Sequence, residues 1–209
     1  MPTTEPGMFH QDASPLVANN TPSEIERKAV TIPLHVQEYR ALQEAFHLNN
    51  PVISYPACGT DISLVEVFPE SETYYIDTDG SSIEILQQAH LPAQSHLVHQ
   101  SAYEYMPPLP VDLVVLRAAT TDTHDVAGLV RGLKKDGFVI ESHWGSSSGA
   151  RQLLADPQFK LIGAMEHDDT EQTCVFNTQN VSAITEQLMH DTGIVSKCTG
   201  KGYVFQKIT

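Results

Sequence analysis

A doubly wound α/β sheet, mostly parallel, with one antiparallel strand supplied by a C-terminal hairpin, is the architecture this sequence predicts. From Pro51 onward, short apolar runs alternate with amphipathic stretches, the pattern of strands joined by crossover helices. The run Val111–Leu116 is apolar apart from Asp112, as in a strand buried on both faces. Two further runs, Phe159–Met165 and Thr173–Asn177, flank the polar turn His167–Gln172, as in an antiparallel hairpin.

Residues 1–20 are rich in Pro, Thr, Asn and Ser without periodicity and read as a mobile tail. Residues 21–50 read as an N-terminal helical segment. Thr21-Pro22-Ser23-Glu24 has the order of a capping threonine, a first-turn proline and a glutamate, opening a short helix with Ile25 and Ala29. After Pro33, the spacing of Leu34, Val36, Tyr39, Leu42, Phe46 and Leu48 predicts a second helix, ended by Asn49-Asn50-Pro51. Residues 51–209 are the α/β domain. Strands are predicted over Val52–Tyr55, Thr73–Ile76, His96–Val98, Val111–Leu116 and Phe138–Glu141, then the hairpin and a terminal strand over Tyr203–Ile208. Helices are predicted from the first turn through Val67, then over Ser82–Ala89, His124–Lys135, Ala150–Leu154 and Val181–His190.

The 209 residues suit one α/β domain with a sizeable core. The net charge is −14, and its distribution is more telling than its sum. Between Ala41 and Leu116 there is no Lys or Arg, against ten acids. A nucleic-acid surface needs clustered cations, so nucleic acid and anionic membrane are excluded as expected partners. No apolar run reaches the length of a membrane span, and MPTTEPGMFHQ has neither the basic start nor the apolar core of a signal peptide. A cytoplasmic location is the expectation. Cys58, Cys174 and Cys198 are too scattered for a disulfide framework or a thiolate zinc site. His96 and His99 fall on opposite faces of a strand and Glu166-His167-Asp168-Asp169 in a polar turn, so no metal is expected.

Ligands of open α/β sheets bind beyond the carboxyl ends of the strands. The residues there are YPACGTD (55–61), Asp77-Thr78-Asp79, Gln100-Ser101-Ala102 and Arg117-Ala118-Ala119. Together they resemble the class I S-adenosylmethionine-dependent methyltransferases. That family's first motif often reads Asp-Leu-Gly-Cys-Gly-Thr-Gly, in register with Tyr55-Pro56-Ala57-Cys58-Gly59-Thr60-Asp61. Its second strand commonly ends in an acid that holds ribose hydroxyls, where TYYIDTD places Asp77. VDLVVLRAA (111–119) and LKKDGFVIES (133–142) resemble its fourth and fifth strands, and the hairpin suits its antiparallel strand. The resemblance spans about residues 51–179. It implies a Rossmann-like sheet of the methyltransferase type with S-adenosylmethionine as cofactor. It also implies a cofactor site at Tyr55, Ala57, Gly59, Asp61, Asp77, Thr78, Ser101, Ala102 and Arg117. The chain departs from the pattern at Tyr55, where the family has an acid, at Ala57 and Asp61, where it has glycine, and at Ser101, where an acid usually faces the adenine.

Charge separates the cofactors that such a turn serves. A dinucleotide presents a pyrophosphate to free N–H groups at a helix start. Thr60 or Asp61 would cap those groups, and the Asp61 carboxylate would repel phosphate. A sulfonium and an ammonium group suit an acidic pocket better. Asp61 is therefore read either as a helix cap or as a ligand contact, and Asp77 as a ribose contact or a solvated strand end. Arg117 is a candidate to hold a carboxylate of cofactor or substrate, or else pairs with a local acid. His143 is the best-placed histidine for a general base, and Trp144 for stacking or lid packing. Cys58 reads as a buried filler, with a reactive thiol as the other reading. Gly145-Ser146-Ser147-Ser148-Gly149 fits the spacing of a hydrolase nucleophile elbow, without an oxyanion-loop motif before it.

The leading expectation is methyl transfer to an unidentified small molecule or protein. The alternative is a non-catalytic binding or scaffold protein of the same fold. An open crevice at Gly59, Asp77 and Ser101 would favour the first, and a crevice filled by Tyr55 and Asp61 the second. The sequence leaves room for a homodimer through the hairpin and terminal strand.

Overall fold

The computed structural model describes residues 28–117, 125–142, 148–168, 173–190 and 202–209, with the backbone alone at 167–168. The expected tail, the helix start at Thr21-Pro22-Ser23-Glu24, Ile25, His124 and Cys198 lie outside the described residues.

Helix α1 (Pro33–Phe46) begins with proline in its first turn, where the missing N–H costs nothing. It ends at His47, which takes a left-handed conformation (φ 50°). No helix extends through Ala29. Val30 is extended and forms a parallel bridge with Asp61, donating its N–H to Thr60 O at 2.9 Å and accepting that of Ile62 at 2.9 Å.

Strand β1 (Ile53–Pro56) is buried throughout. The helix expected after it is only a 3-10 turn over Ser63–Glu66. Pro69 follows so soon that no α-helical nucleus can propagate. Strand β2 (Thr73–Asp77) leads to α2 (Gly80–Gln88), capped by Asp79, whose carboxylate accepts Ser81 N–H at 3.0 Å. Strands β3 (Ser95–His99) and β4 (Val111–Arg117) follow.

The largest correction falls on His124–Lys135, expected as one helix. Helix α3 is only Val126–Leu129, and β5 (Leu133–Ser142) begins much earlier than expected. Gly132, at φ 80°, turns the chain out of the helix. Leu133 pairs with Val111 and Phe138 with Leu113, so Lys134–Gly137 bulge opposite Asp112, with Asp136 left-handed at φ 63°. Helix α4 (Ser148–Ala155), the hairpin strands β6 (Phe159–Asp168) and β7 (Thr173–Asn177), helix α5 (Val181–His190) and strand β8 (Gly202–Lys207) complete the chain.

One eight-stranded sheet results, in the order β3-β2-β1-β4-β5-β8-β6-β7. Strands β1 to β5 run parallel, and β6 shares their sense, because β5 and β6 both pair antiparallel with β8. The hairpin forms as expected, β6 antiparallel to β7. The antiparallel neighbour of β5 is the terminal strand β8, not a hairpin strand. Strand β8 is paired on both sides and offers no dimer edge; the edges are β3 and β7.

Side chains alternate between two cores. Leu113, Val115, Ile140 and Val204 join one cluster with α1 and α2, while Val114, Leu116, Val139 and Phe205 join the other with α3, α4 and α5. Both faces are covered, which is why β4 reads as a nearly continuous apolar run. No helix among the described residues is long and apolar enough to cross a membrane.

Candidate functional site at the carboxyl ends of the strands

The strand order reverses between β1 and β4, so the carboxyl ends of β1, β2, β4 and β5 frame the crevice where a ligand of such a sheet sits. The turn after β1 needs two left-handed residues, Ala57 (φ 52°) and Gly59 (φ 56°). It returns against β2: Cys58 N–H bonds Ile76 O at 3.3 Å, and Gly59 N–H bonds Asp77 Oδ2 at 2.8 Å. The other Asp77 oxygen accepts Asp79 N–H at 2.9 Å. Asp77 and Gly59 are half-buried, and Ala57 and Thr78 are exposed. Beside Gly59 there is open space, for an added Cβ would meet no atom within 4 Å.

Ser101 and Ala102, after β3, are half-buried. The Ser101 hydroxyl accepts Tyr103 N–H at 3.3 Å, and its carbonyl accepts the N–H groups of Glu104 and Tyr105 at 3.0 Å each. Gln100 N–H bonds the Asp77 carbonyl at 3.1 Å, tying this turn to the end of β2.

Tyr55 and Asp61 belong to a different environment. Tyr55 is 2% exposed and Asp61 5%, and both turn toward α1. One Asp61 oxygen accepts the Tyr55 hydroxyl at 2.8 Å and His35 Nδ1–H at 2.7 Å. The other accepts Ser63 N–H at 2.8 Å and the Ser63 hydroxyl at 2.5 Å. Asp61, two residues before the 3-10 turn begins, thus accepts the N–H of its first residue, Ser63. Burial works against the carboxylate's charge, but the bonds from His35 and Ser63 outweigh it and hold its pKa below the ordinary range. Burial, together with the nearby Tyr39 and Asp61, pushes the Tyr55 hydroxyl well above its usual value. Burial and the Asp77 charge push the Cys58 thiol up as well, which speaks against a reactive thiolate there.

Arg117, at the end of β4, is also enclosed. Its guanidinium bonds the Glu38 carboxylate, the Tyr39 hydroxyl at 3.0 Å and Ser142 Oγ at the end of β5 at 2.5 Å, and lies 5.1 Å from the Tyr39 ring centroid. Burial opposes the charge, but the Tyr39 and Glu38 oxygens around it raise the Arg117 pKa above its ordinary value.

The crevice is therefore divided. Space is free beside Gly59, whereas the Arg117 guanidinium at the end of β4 is covered by Glu38 and Tyr39 of α1. Tyr55 and Asp61 are held in the buried cluster with His35 of α1. His35 and Glu38 were not singled out in the sequence. The signal was available: with Val36, Tyr39 and Leu42 they share the buried face of α1, so polar residues stand at i, i+3 positions of an apolar stripe.

His143, Trp144, Ala118, Ala119 and Gly145–Ser147 lie outside the described residues, and Ser148 and Gly149 form the buried start of α4. His96 pairs with Glu72 at 2.5 Å and His99 lies 3.1 Å from Thr78 O, so the two strand histidines diverge. Among the described residues, no group of three His, Cys, Asp or Glu could hold a metal ion.

No protein-family model matches the chain, and no curated protein matches it. Solved structures do. The plantazolicin methyltransferase BpumL, solved in complex with SAH, superposes with a TM-score of 0.55 at 9% identity, over 85% of this chain and 82% of that one. A SAM-dependent O-methyltransferase from Thermotoga maritima gives 0.55 at 9% identity, over 88% and 69%. The StiE O-MT gives 0.50 at 16% identity, over 81% and 72%. The chain has the class I methyltransferase fold. In this fold the turn at Ala57–Gly59 follows β1 and Asp77 ends β2, both beside the reversal of strand order between β1 and β4.

Proposed function

We propose that the protein is an S-adenosylmethionine-dependent methyltransferase acting on a small molecule or a protein. The single observation that carries the reading is the half-buried Asp77 carboxylate beside open space at Gly59. Each Asp77 oxygen already accepts one backbone N–H, at 2.8 and 2.9 Å. A carboxylate offers roughly four lone-pair sites, so it can still accept hydroxyl donors of a nucleoside. Asp77 and Asp79 at this turn, with no Lys or Arg from Ala41 to Leu116, disfavour a pyrophosphate and suit a cationic ligand. The solved relatives of the fold include one complexed with SAH, which supports the same ligand class here.

In this reading the cofactor supplies an electrophilic methyl group on a sulfonium. The chain's own residues position and enclose: Asp77 fixes the nucleoside end, Gly59 leaves room for close approach, and α1 shields the crevice from water.

Calorimetry with S-adenosylmethionine and SAH tests the proposal. Binding at micromolar strength, lost in Asp77→Ala and kept in Glu104→Gln, is the expected result. No heat with either ligand, in protein shown to be folded by circular dichroism, would overturn it in favour of a non-catalytic module built on the same fold.

A further inference from the structure

Helix α1 is fastened to the sheet by two kinds of chemistry. At its C-terminal end, Phe46 stacks on Phe138, with ring centroids 4.3 Å apart, and meets Phe176 edge-on at 5.0 Å. At its N-terminal end the fastenings are polar: His35 bonds Asp61, and Glu38 and Tyr39 bond Arg117. Glu38 is 1% exposed. A buried ion pair is a poor source of stability, because well-packed apolar residues of similar volume do as well or better. Its placement is the more informative feature, since Arg117 ends β4 at the ligand-binding edge of the sheet. It is also the first cation after the long basic-free stretch, with Ser142 Oγ beside it.

We infer that Arg117 is a carboxylate receptor, and that Glu38 is its resident occupant, displaced when a ligand carboxylate arrives. The fork of an arginine matches a carboxylate in a way that does not depend on which molecule carries it. Two sources share this chemistry: the amino-acid end of the methyl donor and a carboxylate on the methyl acceptor. Only the first source rests on the methyl-donor reading. Glu38 moves by changing its rotamer on a helix whose far end stays anchored by Phe46. In the free protein it keeps the buried guanidinium paired, so the empty site carries no isolated charge. The ligand thus competes with a side chain of the protein itself, and its apparent affinity is set by how firmly Glu38 holds.

The test compares wild type with Glu38→Gln, which keeps the shape and removes the charge. SAH, 5′-methylthioadenosine (which lacks the amino-acid end), acetate and acetamide are titrated by calorimetry or ligand-observed NMR. If the carboxylate comes from the donor, Glu38→Gln tightens SAH tenfold or more and leaves 5′-methylthioadenosine unchanged. If it comes from the acceptor, SAH is unchanged and acetate binds at least tenfold tighter to the variant, with acetamide unaffected, also when the protein is saturated with SAH. Should wild type and variant bind neither nucleoside, the acetate arm still decides, so failure of the methyl-donor reading stays distinct. A Glu38→Gln protein that is folded, and binds every carboxylate as wild type does, would overturn the inference and leave the pair purely structural. Glu38→Asp, which keeps the charge on a shorter arm, is read the same way if the Gln variant does not fold.

Discussion

Ala57 occupies a left-handed backbone position (φ 52°) with an exposed side chain, in the turn that follows β1. A left-handed conformation costs an L-residue roughly 1–2 kcal/mol, which glycine avoids at the expense of some unfolded-state entropy. Ala57→Gly is therefore expected to stabilise the protein by up to about 1 kcal/mol in urea unfolding; a loss of stability would show that the turn is not strained there. Asp61 behaves oppositely. Its carboxylate accepts four bonds in a buried setting, so Asp61→Asn is expected to cost about 2–3 kcal/mol at neutral pH. Its folded pKa lies below the unfolded value, so this contribution is complete above roughly pH 4 and is lost as pH falls toward the folded pKa. Urea curves for both proteins at descending pH should converge in acid, and a gap that ignores pH would sink the argument.

Among the elements, β8 shows how far position in the sheet outweighs position in the chain. It is the last strand in sequence, yet it lies between β5 and β6 and is paired on both sides. Phe205 within it is fully buried, so Phe205→Ala is expected to cost about 3–5 kcal/mol. Strand β7 is an edge, and Val175 on it is 61% exposed. Val175→Ser should stay within about 0.5 kcal/mol of wild type. Chemical denaturation of the pair checks both, and equal effects would contradict the strand order. Helix α1 shows a different point. Its existence follows from apolar spacing and Pro33, but the partners of its polar face sit up to seventy-nine positions away along the chain.

For the whole molecule, the net charge of −14 on 209 residues sets the long-range behaviour. Self-repulsion destabilises the compact state, and salt screens it: the Debye length falls from roughly 30 Å at 0.01 M to about 8 Å at 0.15 M. The melting temperature is expected to rise by a few degrees over that range. Duplex DNA, followed by fluorescence anisotropy, is expected to show no saturable binding even at low salt, because counterion release needs a cationic surface. Saturable binding would overturn the exclusion drawn from charge alone.

The sequence by itself determined most strands of the sheet, helices α1, α2, α4 and α5, and the placing of Gly59, Asp77 and Ser101 beyond strand ends. These follow from local signals: alternation of apolar runs, glycine in a turn, an acid just past a strand. It misread His124–Lys135 as helix, because helical spacing within Val126–Leu129 is local whereas the pairing of Leu133 with Val111 is not. Only the tertiary structure decided that β8 enters the middle of the sheet and that Asp61 faces His35. The same holds for the capping of Arg117 by Glu38. Each of these depends on contacts between distant segments, whose closure is governed by the packing of the whole core and leaves no periodicity in the chain.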